Sequence, residues 1–149
     1  MQLFDNDIKK EKNDSREIFA SLLVRAARID NEYSISEKDK INKILINKFN
    51  VSEGEAIKIR TFGEGLESSI VDTVQITKEI KKNIPFEYRT ALAEDLWSII
   101  LADTKRTEDE NSFMRTCIKL IGVNDVDSAK ARQAVINRIN EKNDASYPK

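Results

Sequence analysis

The sequence contains no histidine and only one cysteine among its 149 residues. Without histidine, the chain cannot form a Ser-His-Asp or Cys-His catalytic triad, a histidine-ligated zinc site or a histidine-ligated haem. Cys117 has no second cysteine with which to form an internal disulfide, as is typical of a reducing compartment. Any functional site is therefore expected to use carboxylate or amine groups.

The sequence also lacks long apolar runs and targeting signals. Its longest apolar stretch covers about residues 96–102 and is interrupted by Ser98, whereas a transmembrane helix needs about 20 apolar residues. The first ten residues do not show the basic-then-apolar order of a signal peptide. We therefore expect a cytoplasmic protein that does not insert into a membrane.

An excess of charge of either sign is missing as well. The chain has 25 basic and 26 acidic residues, for a net charge of −1. Proteins that bind nucleic acid usually carry a basic excess, so this class is not expected. Hydrophobic residues make up 40% of the chain, enough to predict a packed core rather than a disordered chain.

Four glycines and two prolines leave few points at which a helix must end. Apolar residues recur every three or four positions, and no segment shows the alternation of a strand. The sequence thus predicts an all-α, single-domain bundle of about seven helices. The predicted helices cover about residues 15–29, 35–49, 53–67, 73–82, 85–102, 108–121 and 125–141.

Residues 14–142 are predicted to form the domain, between a frayed segment at 1–13 and a disordered tail at 143–149. The fifth helix, which starts at Pro85 and includes Phe86, is expected to lie at the centre of the core. Two glycines inside the third helix are expected to kink or shorten it. Side chains suited to N-capping precede six helices: Asp14, Ser34, Ser52, Asp72, Thr107 and Asn124.

The first two helices resemble the fifth and sixth. When Leu23 is aligned with Leu96, an offset of 73, Asp30 matches Asp103 and Glu37 matches Glu110. Each unit reads as a helix, an acidic loop, a second helix and the capped start of a third. The sequence therefore predicts two pseudo-repeated helical hairpins whose loops lie close together.

The two loops concentrate negative charge. Residues 30–37 carry a net charge of −3, and residues 103–110 carry −2. Four carboxylates brought together repel one another unless a cation or shared protons neutralise them. Because the chain has no histidine and one thiol, the suitable ions are Ca²⁺, Mg²⁺ or Mn²⁺. The candidate metal ligands are Asp30, Glu37, Asp103 and Glu110.

A simpler interpretation needs no metal. Glu37 and Glu110 each lie three residues after a Ser or Thr, the spacing of a capping box. The loop acids would then be satisfied by helix capping and by internal ion pairs with arginines. The candidate partners are Arg25, Arg28 and Arg89.

Two longer motifs carry a family resemblance. Residues 22–37 and residues 85–103, continuing to Glu110, resemble the two acidic halves of the TerB-like (tellurite resistance protein B) family. The resemblance implies an all-helical, cytoplasmic bacterial protein with an acidic cluster that binds divalent metal. It also implies a role in tellurite and other stress responses, through membrane-associated complexes and without enzymatic activity. The family's acidic positions fall on Asp30, Glu37, Asp103 and Glu110.

The sequence departs from the family after each aspartate. Asn31 and Thr104 stand where the family usually has glycine. A β-branched threonine adopts a left-handed backbone poorly, so the second loop is expected to be reshaped. Lys105 and Arg106 are expected to pair with its acids, which would weaken a metal site.

Three functional hypotheses follow. The first is a non-enzymatic TerB-like domain that binds a divalent cation and serves as a stress-response scaffold or sensor for a protein partner. The second is a purely protein-binding helical module whose acids cap helices and form salt bridges. The third is a carboxylate–metal hydrolase, which needs an open pocket and a positioned water. Cys117 and Trp97 are predicted to be core residues rather than site residues.

Overall fold

The computed structural model describes residues 2–29, 32–70, 72–102 and 108–146. Within these residues the chain forms seven α-helices and no strand, so the predicted all-α bundle is confirmed. The helices are α1 (Gln2–Arg28), α2 (Ile35–Phe49), α3 (Glu53–Ser69), α4 (Thr73–Asn83), α5 (Phe86–Ile100), α6 (Glu108–Leu120) and α7 (Asp125–Ser146).

Capping side chains fix the starts of four helices where they were predicted. The hydroxyls of Ser34 and Ser52 accept hydrogen bonds from the backbone N–H groups three residues later. The Asp72 carboxylate accepts from Val74 N at 2.9 Å, and Asn124 Oδ1 accepts from Asp127 N at 2.8 Å. Each of these bonds satisfies one of the backbone donors that the first turn of a helix leaves without a partner.

The N-terminal helix is longer than predicted. It starts at Gln2, so Asp14 lies inside α1 and the predicted Asp14 cap is wrong. Residues 2–13, predicted as frayed, continue the helix because they contain neither glycine nor proline and include several strong helix formers. At the other end, α7 extends past the predicted domain limit to Ser146.

The core is centred on α1 rather than on α5. The central helix α1 packs against α2, α3, α4 and α5 and contributes more buried apolar residues than any other described helix. Phe86 was predicted to be a core residue but is 59% exposed, because the first residue of α5 faces solvent. The largest fully buried side chains include Leu22, Leu23, Ile41, Leu45, Ile76, Ile80, Leu92, Leu96, Ile100 and Met114.

The two predicted units share part of their packing. The first helix of each unit packs most extensively on the third, α1 on α3 and α5 on α7, and α1 also contacts α5. Helix α4 joins the two units and packs on both α1 and α6. We refer below to α1–α3 as the first unit and to α5–α7 as the second.

Gly63 explains how α1 and α3 approach closely. A Cβ atom at this position would lie 2.8 Å from the Ala20 Cβ and 3.0 Å from the backbone of Ala20 and Ser21. Gly63 and Gly65 were expected to kink or shorten the third helix, but α3 continues to Ser69. The cost of Gly63 in helix propensity is therefore offset by the tight contact between α1 and α3 that this glycine allows.

Candidate functional site

The structure describes two of the four predicted metal ligands. Asp30 and Asp103 lie outside the described residues, as do Thr104, Lys105 and Arg106 of the second loop. Glu37 lies in the first turn of α2, and Glu110 lies in the first turn of α6. In the part of the chain that is described, no three carboxylate or thiol groups form a cluster that could hold a metal ion.

Glu37 completes a capping box. Its Oε1 atom accepts a hydrogen bond from the Ser34 backbone N at 3.2 Å, while its own backbone N–H donates to Ser34 Oγ at 3.3 Å. The predicted capping role of Glu37 is thus confirmed. Glu37 is half-buried, so it remains partly accessible to solvent.

Glu110, its counterpart in the second unit, lies in a different environment. Glu110 is only 4% exposed. Phe113 and Met114, one turn later on the same helix, are buried as well. Thr107, the predicted cap for α6, lies outside the described residues. An ionised carboxylate at this depth is costly to keep unless polar or cationic groups surround it.

Tyr33 anchors the first loop to α3. Its hydroxyl donates to Glu64 Oε2 at 2.6 Å, and its ring lies 4.8 Å from Arg28 Cζ and 5.1 Å from Lys38 Nζ. Burial and the neighbouring Glu64 carboxylate raise the pKa of the Tyr33 hydroxyl, although Arg60 opposes the shift. The phenol therefore stays protonated and serves as a donor.

A polar network on α3 continues from this anchor. Arg60 donates to Glu64 Oε2 at 2.5 Å and to Asn42 Oδ1 at 2.8 Å, which links α3 to α2. Tyr33, Glu64 and Arg60 were not predicted as site residues, because the contacts that tie them to the first loop and to α2 join residues 31 and 18 positions apart. An aromatic residue inside a charged loop was the one available signal.

Two of the arginines proposed to neutralise the loop acids contact Glu67. Arg25 Nε lies 3.1 Å from Glu67 Oε2, and Arg28 Nη1 lies 2.5 Å from Glu67 Oε1. Arg25 also donates to Thr73 Oγ1 at 3.2 Å and to the carbonyls of Glu67 and Ile70. These contacts join α1 to the end of α3 and the start of α4.

The third arginine, Arg89, donates to backbone carbonyls. Its guanidinium contacts Ile84 O at 3.1 Å, Lys81 O at 3.1 Å and Ile121 O at 3.4 Å. These carbonyls belong to the ends of α4 and α6, where intrahelical donors are missing. Among the described contacts, Arg89 therefore stabilises helix ends rather than an acidic loop.

Cys117 and Trp97 serve the core. Burial raises the pKa of the Cys117 thiol to about 12, so it is protonated at neutral pH and unreactive as a nucleophile. Trp97 is half-buried against the core, and its indole N–H donates to Ser128 Oγ at 3.3 Å. The core position predicted for Cys117 is confirmed, and that predicted for Trp97 is confirmed in part, because Trp97 is only partly buried.

Comparison with known families identifies a match. A family model described as Tellurite resistance protein TerB matches residues 16–133. The chain belongs to the TerB family. The match covers both acidic loops and all but the ends of the helical bundle.

Further comparisons with curated proteins and with solved structures give no match for this TerB domain. Among its described helices, none is long and apolar enough to cross a membrane. The family match supports an all-α, single-domain TerB fold, in agreement with the seven helices of the described residues.

Proposed function

We propose that this TerB domain is a non-enzymatic binding module whose two acidic loops hold one divalent cation, Ca²⁺, Mg²⁺ or Mn²⁺. In this proposal it acts as a stress-response scaffold or sensor for a protein partner in a membrane-associated complex. The observation that carries the proposal is the burial of Glu110 at the start of α6, beside the second loop. Family membership over residues 16–133 supports it.

Glu110 is a carboxylate largely removed from water at the start of α6, and a cation at the second loop would be one of the positive or polar neighbours that such a group needs. A capping glutamate on a helix surface does not need this burial, as Glu37 shows in the matched position. A cation held by Asp103 and Glu110 would help to balance this negative charge. The donor set fits a hard ion, because the chain offers carboxylate and carbonyl oxygens but no imidazole.

The two loops would contribute unequally. Glu37 already uses Oε1 in its capping box, so in this proposal one carboxylate would serve both the cap and the ion. Tyr33 holds the first loop against α3, which would limit how far that loop moves on binding. We therefore expect the second loop to determine affinity and the first to adjust it.

The alternative is a protein-binding module without metal. The complete capping box at Ser34 favours it, because capping alone accounts for the position of Glu37. The third hypothesis, a carboxylate–metal hydrolase, would need the same cation and in addition an exchangeable water.

Calorimetry and thermal melting with Ca²⁺, Mg²⁺ and Mn²⁺ separate the first two hypotheses. After treatment with a chelator, the parent chain is compared with Glu37→Gln/Glu110→Gln and with the single variants Asp30→Asn and Asp103→Asn. A charge-matched control is Glu53→Gln/Glu55→Gln, since these exposed acids lie in the first turn of α3 outside both loops. A cation that binds the native state raises the melting temperature with its concentration.

We expect one of the three ions to stabilise the parent and the control, and the effect to be lost in the loop variants. If millimolar ion neither binds nor stabilises the parent, the metal proposal is wrong and the protein-binding alternative remains. An equal response in parent and loop variants would show that the ion binds elsewhere.

A further inference from the structure

A groove between α2 and α7 is lined by basic side chains. Both helices pack on α5, and the space between them has a volume of about 480 Å³. Lys40 and Lys43 lie one turn apart on α2, opposite Arg138 and Lys142 one turn apart on α7. The lining also includes Ile44, Asn47, Lys48, Asp95, Ser98, Val135 and Ile139.

The groove has a clear excess of positive charge. Five basic residues and one acidic residue line it, although the whole chain has a net charge of −1. Asp95 pairs with Lys48 at 2.7 Å. In the described part of the chain, Lys40, Lys43 and Lys142 form no ion pair.

The remaining cation, Arg138, is only partly neutralised. It lies 2.6 Å from Glu94, but this pair is exposed, with 59% of the arginine side chain accessible. Exposed pairs of this kind are weak and exchange readily with other partners. Arg138 can therefore turn toward an anion in the groove.

The like charges are close enough to influence one another. Lys40 is half-buried, and its pKa is lowered first by burial and then by the charges of Lys142, Arg138 and Lys43. Asp95, which also lines the groove, has a raised pKa because it is buried, despite the opposing effect of Lys48. An anion between the two rows would relieve the repulsion among these cations.

We propose that the α2–α7 groove binds a phosphate monoester, an anion with close to two negative charges. Three lysine ammonium groups from two facing walls suit a compact, multiply charged group, because lysine binds phosphate as a point charge with rotatable donors. Ile44, Val135 and Ile139 add apolar surface beside them. The volume leaves room for an organic portion attached to the phosphate.

Two sources share this chemistry, a soluble phosphorylated metabolite and the headgroup of a membrane lipid. Glycerol 3-phosphate tests the first, with glycerol as the uncharged control. Vesicles of phosphatidylcholine with phosphatidic acid test the second, and vesicles with phosphatidylglycerol are the control because that lipid is an anionic diester. All measurements are made with a chelator present, so that their outcome is independent of the proposed metal site.

The groove is tested with Lys40→Gln/Lys142→Gln. The matched control is Lys78→Gln/Lys82→Gln, which removes the same charge from exposed positions one turn apart on α4. We expect binding of glycerol 3-phosphate or of phosphatidic acid vesicles to weaken about tenfold in the groove variant and to stay unchanged in the control. Binding to only one probe identifies the source of the phosphate and supports the proposal.

Thermal melting gives a second readout that is sensitive to misfolding. Without ligand, the groove variant should melt at or above the parent temperature, because removing two crowded charges relieves repulsion. With ligand, only the parent and the control should be stabilised. Absence of binding to both probes would overturn the proposal, as would an equal loss in the two variants or equal binding to the two anionic lipids.

Discussion

The two units share a topology but are held together differently. In the first, α1 and α3 meet at Gly63 and are joined by Arg25, Arg28 and Glu67. The aligned positions in the second unit carry no such charges. At the offset of 73, Ser98 aligns with Arg25 and Leu101 with Arg28; from Val51 onward the offset is 72, so Val135 aligns with Gly63 and Ile139 with Glu67. The repeat thus preserves helix order and apolar spacing, whereas the contacts between the helices have diverged.

The acidic positions differ in the same way. Glu37 in the first unit caps α2 at a half-buried position, and Glu110 in the second is almost completely buried. A matched position in sequence is therefore not a matched environment. The difference is a reason to expect unequal roles for the two loops. The following variants test the packing of each unit and the cap beside the first loop.

The largest effect is expected where the units are most alike. Leu23 and Leu96 occupy aligned positions, and both are fully buried. Leu23→Ala and Leu96→Ala should each lower the free energy of unfolding by about 3–4 kcal/mol, because each loses apolar burial and leaves a cavity. Urea denaturation measures both values. A difference of more than about 2 kcal/mol would show that the two cores are not equivalent.

The ion pairs of the first unit should come next. Glu67→Gln is expected to cost about 2 kcal/mol, because it removes a carboxylate shared by two arginines at a position where its side chain is 13% exposed. Glu94→Gln is the control, since its pair with Arg138 is exposed and should contribute less than about 0.5 kcal/mol. Equal costs in denaturant titrations would contradict this assignment.

Gly63 and Gly65 offer a test with opposite signs. Gly63→Ala should destabilise the protein by about 1–2 kcal/mol, because the added methyl meets Ala20 at a distance that requires the helices to separate. Gly65→Ala meets no atom within 4 Å and should stabilise α3 by up to about 1 kcal/mol. Two shifts of the same sign in the thermal midpoint would show that α1 and α3 are not in such close contact.

The smallest effect concerns the capping box beside the first loop. Ser34→Ala should cost about 1 kcal/mol, because the Glu37 backbone N–H loses its acceptor. Ser36→Ala, an exposed change two residues later in α2, should stay within about 0.5 kcal/mol of the parent. If both variants unfold like the parent, the capping box contributes nothing to stability and serves only to set the conformation of the first loop.

Local features were predictable and distant contacts were not. Ser34, Ser52, Asp72 and Asn124 could be assigned because a cap and its helix lie within three residues of each other. The start of α1 was misplaced because an apolar stripe marks the part of a helix that is buried, and residues before Ser15 lack one. Sequence periodicity reports burial, so it does not by itself locate the end of a helix.

The candidate site shows the same limit. Spacing identified Glu37 and Glu110 as equivalent, but only tertiary packing distinguishes a capping residue from a buried carboxylate. Glu67 and Tyr33 became visible only through partners more than 30 positions away. Asp30 and Asp103 remain predictions, since they lie outside the described residues.

Arg89 has a consequence for cooperativity. A single guanidinium bonds the last carbonyls of α4, the helix that joins the two units, to Ile121 at the end of α6 in the second unit. The first unit also shares a core with the second through α1 and α5. Two similar halves could in principle melt one after the other, but halves fastened in this way should unfold in one transition, with equal calorimetric and van't Hoff enthalpies.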